Sequence, residues 1–97
     1  MAIYNDGSAG IAATQLAEIG GALLRDCRYE IQEGGDFLRL SAELTADLDA
    51  AGRDALRDRI TAGLTRALPK RKGAFPWMVV LTRQGNLVES IFPEMTL

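Results

Sequence analysis

Histidine is absent from all 97 residues, and cysteine occurs once, at Cys27. The first absence removes Ser-His-Asp and Cys-His nucleophile pairs, histidine metal sites and the commonest general base near neutral pH. The second removes cysteine-ligated zinc and any intramolecular disulfide. No phosphate-loop pattern occurs, because neither Gly-Gly pair lies between a strand and a helix with a following Lys-Ser or Lys-Thr. Long apolar runs are missing as well. The longest, 77–81, falls far short of the ~20 residues of a membrane helix. Arg25 is the first basic residue, so no positive segment precedes an apolar leader. These absences lead us to expect a non-enzymatic chain with no cofactor, no metal and no membrane association, in a reducing cytoplasm.

One further absence is local. Residues 59–88 hold no acidic side chain but six basic ones: Arg59, Arg66, Lys70, Arg71, Lys72 and Arg83. The chain as a whole carries −2, and residues 1–58 hold eleven acids against five bases. Sign segregation of this kind steers acidic surfaces or phosphates toward one part of a molecule.

What is present suits one small globular domain spanning 1–97. Apolar residues make up 47% and charged residues 25%, which is too apolar for intrinsic disorder. A chain of this size buries only about two-thirds of its unfolded surface, so a homodimer is a natural way to bury more.

Ser8 is placed to cap a helix over 9–25, with Ala12, Leu16, Ile19 and Leu23 on one face. A second stripe of small residues, Ala13, Ala17 and Gly21, suits close packing. The Gly20-Gly21 pair costs such a helix about 1 kcal/mol per glycine, so close packing against a strand or helix is expected there. Two alternating runs follow. Cys27, Tyr29 and Ile31 share one side, and Leu38, Leu40, Ala42 and Leu44 share another, across the turn Glu33-Gly34-Gly35-Asp36. Asp47 or Asp49 opens a second helix that ends near Ala67, ahead of Pro69. Its apolar face is Leu48, Leu56, Ile60, Leu64 and Leu68; its wet side holds Arg53, Asp54, Arg57 and Asp58. The run 77–81 is apolar on both faces and predicts a central strand with Val79 in the core. Arg83-Gln84-Gly85-Asn86 turns the chain into a last strand, 87–92, which Pro93 stops. The expected fold is α+β, a two-layer sandwich in α-β-β-α-β-β order, with a four-stranded antiparallel sheet and both helices on one face.

Candidate chemistry is sparse. Asp54 and Asp58 stand four apart on a helix and suit a hard cation, yet Arg53, Arg57 and Arg59 surround them, as on an ordinary solvated face. Glu33 and Asp36 lack the ligand series of a calcium loop and read as a turn. Cys27 reads as a small core residue; a reactive role needs exposure and a thiolate stabilised by Arg25 or Arg28. The strongest candidate site is Arg66, Lys70, Arg71, Lys72 and Phe75, where a helix end runs into a basic loop. The bland alternative is cations serving a helix C-terminus. The expected function is a small protein-binding module, acting as adaptor, subunit or inhibitor, as phage-encoded inhibitors and immunity-type proteins do. It would dock an acidic protein partner through that helix end and loop. The alternative is a nucleic-acid-binding accessory using residues 66–77, with aromatics available for base stacking.

Overall fold

Asn5 opens the first helix through reciprocal hydrogen bonds: the Ser8 amide donates to its side chain at 2.9 Å, and its own amide donates to Ser8 Oγ at 3.0 Å. This capping box starts helix α1 at Asp6, and α1 runs over Asp6–Gly20. Ser8, expected as the cap, is thus the third helical residue. The expected end near Arg25 is also corrected. Gly21 takes φ 53 and caps the helix, a conformation glycine adopts without a Cβ penalty. Gly20 lies so close to the Leu24 side chain that a Cβ there would collide with it. The expected close packing holds at Gly20, against Leu24, but not at Gly21, which is exposed with open space around it. The computed structural model describes residues 3–68 and 76–93.

Strand β1 follows over Leu24–Gln32, and a 3-10 turn at Glu33–Gly35 leads into β2, Phe37–Leu44. Helix α2 spans Ala50–Ala67 and is capped by Asp49, whose Oδ1 accepts the Gly52 amide at 2.7 Å. Strands β3, Trp77–Arg83, and β4, Asn86–Ile91, close the chain. Their connection carries Gln84 at φ 53 and Gly85 at φ 82, the double left-handed geometry that suits a two-residue hairpin turn.

The four strands lie in sequence order, β1-β2-β3-β4. The sheet is mixed, which corrects the antiparallel expectation. Strands β1 and β2 pair antiparallel, as do β3 and β4, but β2 and β3 run parallel from Leu38↔Trp77 to Glu43↔Thr82. The cause is α2. A helix that crosses back between two neighbouring strands returns the chain to the end where the first strand began, so the second strand must run alongside it.

Both helices cover one face. Ala9, Ala12 and Leu16 of α1 and Leu56, Ile60 and Leu64 of α2 share a core with Leu38, Leu40, Ala42, Leu44, Trp77, Val79 and Leu81. Val79 is fully buried there, as expected. The two helices meet where Ile19 packs over Gly63: a Cβ at Gly63 would lie 2.5 Å from Ile19 Cδ1. The stripe Ala13, Ala17 and Gly21 takes no part in that contact, with Ala17 and Gly21 exposed.

Candidate protein-docking surfaces

The C-terminal turn of α2 presents Arg66, which is exposed and has no ion-pair partner among the described residues. Leu68 caps the end of the helix, its amide donating to the Leu64 carbonyl at 2.8 Å. Lys70, Arg71, Lys72 and Phe75 lie outside the described residues. Just ahead of β3, the Pro76 carbonyl accepts the Leu38 amide at 3.1 Å and sets the start of β3 beside that of β2. Trp77 is only 1% exposed. Its indole belongs to the core, which removes it from the aromatics a nucleic acid could stack on.

Three arginines elsewhere are engaged by carboxylates. Arg57 reaches Asp54 at 3.2 Å, Asp58 at 3.7 Å and Glu89 of β4 at 3.2 Å. The Asp54–Asp58 pair is therefore spent on an arginine that ties α2 to the sheet. Arg25 pairs with Glu43 at 2.9 Å and Arg83 with Asp47 at 3.1 Å. Among the described residues no group of three or more His, Cys, Asp or Glu side chains could hold a metal. The Glu33–Gly35 turn serves the fold, since the Gly35 carbonyl accepts the amides of Ile3 at 2.9 Å and Tyr4 at 2.8 Å and so fastens the segment ahead of α1. Cys27 is partly buried, and its thiol is pushed up, first by burial and then by neighbouring Asp26. That environment is the reverse of one that makes a reactive thiolate.

Sequence reasoning missed a cleft of about 350 Å³ at the other end of the sheet, between the start of α2 and the β3–β4 turn. Arg53, Arg83, Asp47 and Asn86 contribute polar groups to it, and Leu44, Leu48 and Val88 apolar ones. Arg83 is held in place by Asp47 and by the Leu44 carbonyl at 3.5 Å, while the Gln84 amide donates to Glu43 at 3.0 Å. Its lining comes from separate segments, and no local pattern marks them.

A second surface is the face of the sheet opposite the helices. Strand alternation and register place Arg28, Glu30, Arg39 and Glu43 there, together with Phe37, Met78, Val80 and Leu87. Leu87 is 66% exposed, and Phe92 just beyond β4 is also exposed. Among the described residues no helix is long and apolar enough to cross a membrane. Comparison with known protein families, curated proteins and solved structures finds no match for this chain.

Proposed function

We propose that this chain is a small protein-binding module without catalytic activity of its own, docking an acidic protein partner through Arg66, Lys70, Arg71, Lys72 and Phe75. One observation carries the reading. Arg66 stands exposed at the end of α2 without a carboxylate partner among the described residues, and the sequence continues from it through Lys70, Arg71 and Lys72 with no acidic residue before Glu89. Unpaired cations beside a rigid sheet attract an acidic surface mainly through encounter rate, and that attraction weakens with salt. The burial of Trp77 favours a protein partner over base stacking.

The test is affinity capture from an extract of the native host, with the parent chain and the Lys70→Glu/Arg71→Glu/Lys72→Glu variant as baits at low salt. The reading expects a protein that the parent retains, that raised salt releases, and that the variant fails to hold despite an unchanged melting temperature. Equal retention by both baits refutes it. Nucleic acid copurifying with the parent, seen as a raised absorbance at 260 relative to 280 nm, replaces it with the nucleic-acid reading.

A further inference from the structure

Strand β1 is an edge. Among the described residues it pairs only with β2, along Leu24↔Leu44 to Gln32↔Phe37. Its first part is broken by a bulge at Asp26, φ 54, between Arg25 and Arg28, so regular pairing geometry is confined to residues 28–32. Charges on an edge strand ordinarily keep sheets apart. Here they alternate in sign, and their order matters. Two identical strands related by a two-fold axis pair about a single residue, which sits opposite itself. Pairing about Arg28 sets arginine against arginine, and pairing about Glu30 sets glutamate against glutamate. Pairing about Tyr29 sets Arg28 of each copy opposite Glu30 of the other, twice. On the helix side, Ile31 and, at the edge of the bulge, Cys27 flank that register, and both are partly buried against the core. Neither Arg28 nor Glu30 forms an ion pair among the described residues; Glu30 accepts only a hydrogen bond from Gln32 at 3.0 Å.

A second feature lies along the same edge. The Tyr29 hydroxyl donates to Asp6 of α1 at 3.2 Å, which sets the Asp6 flank of the helix over β1. Ile19, on the other flank, packs against α2. Positions 6, 10, 13 and 17 recur at helical spacing, so Gly10, Ala13 and Ala17 follow Asp6 along the β1 side. Small side chains on that flank let a second α1 come close when two sheets join at β1.

We propose that two copies of this chain associate through β1, in antiparallel register about Tyr29, to form one continuous eight-stranded sheet. The inference is independent of the proposed partner site, which lies at the end of α2. The partner strand would satisfy the outward backbone groups of β1, and the charge order selects the register.

The experiment is sedimentation equilibrium from about 1 to 100 µM on the full chain and four variants: Arg28→Glu, Glu30→Arg, the double exchange, and Leu87→Ser. The parent should reach twice the 10.5 kDa chain mass. Each single reversal should weaken association by about tenfold or more, since two attractive pairs become repulsive. The double exchange should restore it to within about threefold of the parent, because the opposed pairs are re-formed. Far-UV circular dichroism confirms that each variant is folded; Arg28 and Glu30 are both exposed in the single chain and outside the core. A parent that stays monomeric throughout overturns the proposal. So does a double exchange as weak as the single reversals, or a dimer indifferent to both charges but dissolved by Leu87→Ser, which would place the contact on the open sheet face.

Discussion

Tyr4→Phe removes one atom from the core, and the structure sets both the sign and the pH dependence of the result. Tyr4 is 3% exposed, and its hydroxyl has no hydrogen-bond partner among the described residues. Burial pushes the phenol from 10.0 up to about 12. Near neutral pH the hydroxyl sits in the core with its desolvation uncompensated, so replacing it with hydrogen should stabilise the fold by about 1 kcal/mol. The backbone anchor to Gly35 is untouched, because the Tyr4 amide makes it. Alkaline pH separates the two proteins further. The folded state holds the phenol proton more tightly than the unfolded chain, so this contribution is intact below pH 10 and is lost as pH climbs from 10 toward 12. At pH 11 the parent should have lost about 1.4 kcal/mol by this route, approaching about 2.7 kcal/mol above pH 12. The variant loses none of it. Urea denaturation of both proteins at a series of pH values measures the difference, in which Tyr29 and the lysines cancel. The gap should widen from about 1 kcal/mol at neutral pH to about 2.4 kcal/mol at pH 11. Two curves that stay parallel, or a variant less stable than the parent at neutral pH, would refute the reasoning.

Gly63→Ala should be nearly neutral, because about 1 kcal/mol of helix propensity is offset by the collision of its Cβ with Ile19. In an Ile19→Val background, which removes the colliding Cδ1, the same substitution should stabilise by about 1 kcal/mol; additive behaviour in thermal melts would contradict the contact. Val79→Asp puts a carboxylate into a fully buried position between Leu40 and Ile91, and several kcal/mol of desolvation compete with a stability of only ~5–15 kcal/mol. The variant should lose its cooperative melt, and an unchanged midpoint would show Val79 to be outside the core. Cys27, with its thiol pushed up by burial and Asp26, should react with a disulfide reagent at pH 8 more slowly than a free cysteine; an equal or faster rate would contradict that environment.

The elements were more legible than their assembly. Of the two caps the sequence offers, Asp47 and Asp49, the second opens α2, and Leu56, Ile60 and Leu64 form its buried face as expected, since a cap and a periodic face are local properties of the chain. The same holds for Trp77 through Leu81, apolar on both sides because β3 is interior. Helix α1 began early because Asn5 and Ser8 cap reciprocally, and a lone serine gave no sign of that. The bulge at Asp26 lets Leu24 and Cys27 face the helices although they stand three apart, which breaks the two-residue period and hid the start of β1. Tyr29 alternates in register with the partly buried Cys27 and Ile31 yet remains 38% exposed, because among the described residues β1 has a neighbouring strand on one side only. The parallel β2–β3 pair depends on how the crossover returns, a property of no single window. Of the expected site, Arg66 alone falls within the described residues, whereas the cleft near Arg83 draws on segments that only folding brings together.

That parallel pair also divides the molecule by how quickly its parts can find one another. The hairpins β1–β2 and β3–β4 each close over a short turn, but Leu38 reaches Trp77 only after the whole of α2 has been gathered between them. Closing that loop costs chain entropy before any contact across it offsets the loss. The seam between β2 and β3 is therefore the expected slow step of folding. Substitutions that weaken Leu40 against Val79 should lower the refolding rate. Those confined to the outer rim of β1 should mainly hasten unfolding.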